Sequence, residues 1–69
     1  RQGRYEEAIH YLERAWKLDR NPEIAAHLGE VLWMAGRPEE ARAIWREGQN
    51  VDDSNPVLVE TMQRLQAEP

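Results

Sequence analysis

Apolar residues recur along this chain at intervals of three and four, and the recurrences fall into four stretches. Tyr5, Ala8, Ile9, Leu12, Ala15 and Trp16 make the first stripe; Ile24, Leu28, Val31, Leu32 and Ala35 make the second. Ala41, Ile44, Trp45, Gly48 and Val51 make a third, and Leu58, Met62 and Leu65 a shorter fourth. This spacing gathers apolar side chains on one face of a helix, whereas a half-buried strand would alternate. The pattern predicts helices over 4–18, 22–35, 38–51 and 56–67. Start signals agree. Asn21 and Asn55 stand where a side chain can accept from first-turn amides, and Pro22 and Pro56 follow at the position that needs no amide donor. Gly3 and Gly36 suit left-handed C-terminal caps, and Pro38 opens the next helix. The acidic pairs Glu6-Glu7 and Glu39-Glu40 are explained as first-turn carboxylates at the positive ends of helix dipoles. Connections this short make consecutive helices antiparallel, so the expected fold is all-α, a stack of helical hairpins.

The pattern also repeats. Gly3-Arg4-Tyr5-Glu6-Glu7-Ala8 returns 33 residues later as Gly36-Arg37-Pro38-Glu39-Glu40-Ala41, and Asn21-Pro22 returns 34 residues later as Asn55-Pro56. The one-residue difference falls between helices, where a loop absorbs it without disturbing a packed face. The repeating unit is therefore a pair of helices.

With that unit the chain resembles the tetratricopeptide-repeat family, whose helix–turn–helix motif has a period of about 34 residues. Leu28-Gly29, Leu32, Ala41, Trp45 and Gly48 match the family's Leu-Gly, large apolar, Ala, aromatic and small positions, and Ala8, Leu12 and Ala15 match the second half of a preceding unit. Ala25 stands where the family often has Trp, and Arg20 and Asp53 replace its proline after the second helix, although Pro22 and Pro56 follow shortly after. The resemblance implies an α-solenoid fragment: 1–21 as the second half of a repeat, 22–55 as a complete one, and 56–69 as a capping helix or the start of another. Gly29 and Ala41 are expected to be small where the helices of one hairpin cross, and Gly48 and Ala15 where the next hairpin approaches. The stretch from Glu23 to Leu65 also looks like the last repeats of proteobacterial adaptor proteins of this family, which leaves the compartment open between cytoplasm and periplasm, the latter favoured by this likeness alone.

The resemblance further implies a non-catalytic scaffold that presents part of a concave groove to a polypeptide. The first helix of each pair lines that groove, here through Glu23, Ala26, Glu30, Trp33 and Met34, with Val57, Glu60 and Arg64 from the next helix. Clamps for a terminal carboxylate need cationic and amide donors. These positions are acidic with an apolar edge, so the implied ligand is a basic or amphipathic helical segment. The alternative is a structural terminal cap with the ligand site upstream.

Composition narrows the remaining classes. A net charge of −4, with nine basic residues dispersed among thirteen acidic ones, argues against a nucleic-acid surface. The longest apolar runs fall far short of the roughly 20 residues a membrane span requires, and no signal-peptide pattern opens the chain. Without cysteine there is neither disulfide nor thiolate metal site. Ser54 and Thr61, the two residues of that hydroxyl kind, have no histidine at a helical spacing that would activate them, so no catalytic residue is assigned. Glu23/His27, His27/Glu30 and Glu6/His10 lie one turn apart but lack a third ligand, so no metal or cofactor is assigned either. Three tryptophans are a heavy load for 69 residues. Trp45 falls on the core stripe, Trp16 is expected against the following helix pair, and Trp33 lies at a stripe edge. The start at Arg1-Gln2-Gly3 reads as a turn between helices, so the chain is expected to be cut from a longer one. Tyr5, Ala8 and Leu12 would then lack their cover, and a homodimer through this N-terminal face is expected.

Overall fold

The computed structural model describes residues 2–67, which form four α-helices: α1 (Gln2–Leu18), α2 (Pro22–Met34), α3 (Pro38–Val51) and α4 (Pro56–Gln66). No strand occurs among the described residues. The Asn-Pro pairs act as their chemistry dictates. Asn21 accepts from the amide of Glu23 at 2.8 Å, and Asn55 accepts from Val57 and Leu58 at 3.0 and 3.1 Å. Between α2 and α3 the chain reverses through Gly36, whose φ of 81° is the left-handed conformation that favours glycine. There the Gly36 amide donates to Trp33 at 3.1 Å and the Arg37 amide to Leu32 at 2.9 Å, the paired bonds of a Schellman motif.

Helix α2 packs against each of the other three helices, and α3 also touches the start of α4. The described chain is a slab of 34 × 32 × 16 Å, the thin dimension being two helical layers. Its core joins Ile9 of α1, Ala26, Leu28 and Leu32 of α2, Ala41 and Trp45 of α3 and Leu58 of α4, all buried. Burying each large apolar side chain contributes about 1.5–3 kcal/mol, which is what holds so small a chain together.

Glycine sets the approach of the helices. A β-carbon on Gly29 would run into the indole of Trp45, so α3 reaches α2 by laying its tryptophan where Gly29 has no side chain. Ala41, expected to be small at this crossing, is fully buried, and the ring of Trp45, one turn further along α3, fills the space over Gly29. Gly48 is small where the next helix approaches, as expected, and meets α2 besides: a β-carbon there would stand 3.0 Å from Leu58 and 2.9 Å from Ala25. It lets α2 and α4 both close on α3.

Three expectations change at α1. Gly3 lies in the first turn of α1 and is not left-handed; glycine adopts negative φ as readily as positive, so the residue alone does not place a turn. Glu6 and Glu7 are consequently beyond the first turn, and Glu6 instead reaches across to Arg37 at 3.1 Å. Tyr5 and Leu12 are not bare: both are partly buried against the core, and Ala8 is half-buried. The exposed apolar side chains of α1 are Tyr11 at 72% and Leu18 at 88%.

Candidate functional site

The side chains of α2 that face solvent are set by what its three neighbours leave uncovered. Glu23, His27 and Met34 are exposed and Glu30 is half-buried, a stripe at steps of four, three and four along one face. Beside it α4 shows Glu60 and Arg64. The two helices are tied across this face: the Arg64 guanidinium donates to Glu60 at 2.9 Å on its own helix and to Glu30 of α2 at 3.5 Å. The hydrogen bond to Glu60 is the main reason that Arg64 is held above its ordinary pKa, so it stays cationic throughout. Three carboxylates, Glu23, Glu30 and Glu60, stand against one guanidinium, and the face keeps a net negative charge with Met34 at its apolar end, 57% exposed.

Three of the expected groove residues do not join it. Ala26 is 1% exposed, and its carbonyl accepts from the Trp45 indole at 3.4 Å, a long bond. The helical phase gives its place on the surface to His27. Trp33 lies about a quarter turn from the stripe. Its ring is stacked on Trp45 with centroids 5.7 Å apart, and the guanidinium of Arg42 lies 5.4 Å over its ring. Val57 is half-buried against the core. The structure thus brings together Glu23, Glu30, Met34, Glu60 and Arg64, adds His27, and turns Ala26 and Trp33 toward α3.

The opposite side has a concavity of its own, a cleft of about 390 Å³ between α1 and α3, floored by Leu28 and Leu32 and walled by Trp16 and Ile44. Its acidic rim is already engaged. Glu47 accepts from the Trp16 indole at 3.0 Å and lies 3.8 Å from Arg20, whose guanidinium lies over the Trp16 ring. Glu40 is held by Arg37 through contacts of 2.7 and 2.9 Å. Trp16 thereby packs against the helix pair that follows it, as its place on the first stripe implied.

The hydroxyl candidates stand in structural positions. Ser54 donates to the Asp52 carboxylate at 2.9 Å in the turn before α4, and Thr61 is 4% exposed against the core. His10 lies 4.0 Å from Glu13 and not against Glu6, which pairs with Arg37. No group of three potential metal ligands occurs among the described residues, and no helix of theirs is long and apolar enough to cross a membrane.

Two helical hairpins' worth of chain, a Leu-Gly pair under a buried aromatic, and small residues at each close approach together make a helical repeat. No curated protein and no solved structure matches the chain. A family model described as tetratricopeptide repeat matches residues 1–66, nearly the whole sequence. The chain belongs to the tetratricopeptide-repeat family, whose repeats typically serve as non-catalytic modules of protein–protein interaction.

Proposed function

We propose that the face shared by α2 and α4 is a docking surface for a basic, amphipathic helical segment of another polypeptide. The observation that carries this reading is the stripe of Glu23, His27, Glu30 and Met34 running beside Glu60 and Arg64. A cationic helix laid along it would meet three carboxylates and could seat one apolar side chain on Met34, whose flexible thioether adapts to varied partners. Arg64 gives the surface a choice. While it bridges Glu30 and Glu60 it blunts their charge, and an incoming Lys or Arg competes with it for both acids. Charge of this kind contributes to selectivity and association rate more than to raw affinity.

Fluorescence anisotropy with a labelled helix-forming Lys/Leu peptide, and its Glu/Leu analogue as control, tests the reading. The protein should prefer the Lys/Leu peptide, with affinity falling as salt rises. Exchanging Glu23 and Glu30 for Lys should reverse that preference while leaving helicity unchanged. Equal binding of the Lys/Leu peptide by the parent and the doubly exchanged protein would remove this face from consideration.

A second reading, that α4 serves as a capping helix, has its own support. The positions of α4 equivalent to the buried Gly29 and Leu32, 34 residues on, are Gln63 and Gln66, both exposed. A polar outer face is what the edge of a helical stack needs.

A further inference from the structure

The two most exposed large apolar side chains among the described residues, Leu18 and Tyr11, lie on one helix, seven residues apart. Between and before them on the same line stand Arg14, Glu7 and Arg4, all exposed. The positions 4, 7, 11, 14 and 18 alternate steps of three and four, the spacing of a seam that faces another helix. We propose that this seam is a self-complementary interface, and that a second copy of the chain pairs its α1 antiparallel on it about a two-fold axis near Tyr11.

The charges choose both the partner and the direction. In an antiparallel pair centred on Tyr11, the two tyrosines meet, Glu7 of each copy faces Arg14 of the other, and the stem of Arg4 lies along Leu18. A parallel pair would set Glu7 on Glu7 and Arg14 on Arg14, and like charges at close quarters disfavour it. Arg4 and Lys17 fall at the open ends of the seam, where water hydrates them. The repeat supplies a second argument. Tyr11 is the equivalent, 33 residues earlier, of Ile44, and Ile44 is half-buried in the cleft that α1 and α3 form together. The same face of the repeat's second helix therefore looks toward another helix elsewhere in this chain, α1 across the cleft, with Trp16 and Glu47 bonded between them. One helix seam buries little area, which places the dimer among weak, concentration-dependent associations. This interface is separate from the α2/α4 face and does not depend on the function proposed for it.

Sedimentation velocity from micromolar to millimolar protein tests the pairing directly. The parent should pass from monomer to dimer within that range. Glu7→Arg alone, or Arg14→Glu alone, creates two like-charge meetings per dimer and should raise the dissociation constant about tenfold. The combined exchange restores both pairs with their signs swapped and should return the constant to within about threefold of the parent. Both side chains are exposed, so the thermal melt of each variant should match the parent. A protein that stays monomeric at all concentrations, as it would if the seam served a different partner, overturns the proposal. So does a dimer indifferent to the single exchanges, or one that the combined exchange fails to restore.

Discussion

The indole of Trp45 occupies the space in which a β-carbon on Gly29 would stand. Trp45 has nowhere to retreat, being fully buried and stacked on Trp33. Replacing glycine by alanine inside a helix ordinarily stabilises by about 1 kcal/mol, while forcing a methyl group into a filled core costs about 1–3 kcal/mol. Here the second effect wins. Gly29→Ala should lower stability by about 1–2 kcal/mol, read as a melting temperature about 5–15 °C lower; an unchanged or higher value would show that α3 can slide away from α2.

Trp16 and Glu47 join α1 to α3 by a single hydrogen bond at the mouth of their cleft. Because that bond is only partly shielded, Glu47→Ala should cost about 1 kcal/mol. Glu47→Gln keeps an acceptor for the indole and loses only the half-exposed contact with Arg20, so it should cost no more than a few tenths of a kcal/mol. Chemical denaturation of the two variants separates the contributions, and equal losses would assign the stabilisation to the charge instead.

The two asparagine caps are not equivalent. Asn55 satisfies two first-turn amides and Asn21 one. Each change to alanine should cost about 1 kcal/mol, with Asn55→Ala the more damaging to its own helix. Amide exchange in the first turn of α4, compared with that of α2, provides the measurement.

Arg37 holds the Glu40 carboxyl below its ordinary value, chiefly through their hydrogen bond. A carboxyl depressed in the folded state stabilises the fold above its unfolded pKa, near about 4.3, and that stabilisation is lost as pH falls through the lower folded value. Titration of Glu40 followed by NMR should therefore show a low midpoint that returns to the ordinary value in Arg37→Gln. The pair is exposed to solvent, so added salt should shrink the difference. A Glu40 midpoint that ignores the change would mean that the bidentate contact does not persist in solution.

Much of this was legible because it is local. The Asn-Pro starts, the left-handed turn at Gly36 and the helical periods act over a few residues, and the bounds of α3 agree to the residue. The core role of Trp45 followed from its stripe. What failed needed neighbours. Helix α2 is walled on three sides, so its exposed face is narrow, and a shift of one position separates His27, which reaches solvent, from Ala26, which does not. Trp33 turned toward α3 because Trp45 offers it a ring to stack on, a partner 12 residues away that periodicity cannot supply. At α1 the glycine that marks a turn in the second repeat block is simply helical in the first. The two blocks differ at one position, Tyr5 against Pro38, and a proline at the first helical position starts a new helix where tyrosine lets the first one run on.

Helices α1 and α4 do not meet; each leans on α2. A displacement begun at one end of the slab therefore reaches the other by way of α2 and α3, which the tryptophan seated on Gly29 locks together; α3 itself bonds to Trp16 of α1 through Glu47 and closes on Leu58 of α4 at Gly48. The α2/α3 hairpin stands in the middle like the web of a beam, with one helix braced on each side. Each flanking helix takes its angle from that hairpin, and on the α4 side the angle is set by the glycine-sized gap at Gly48.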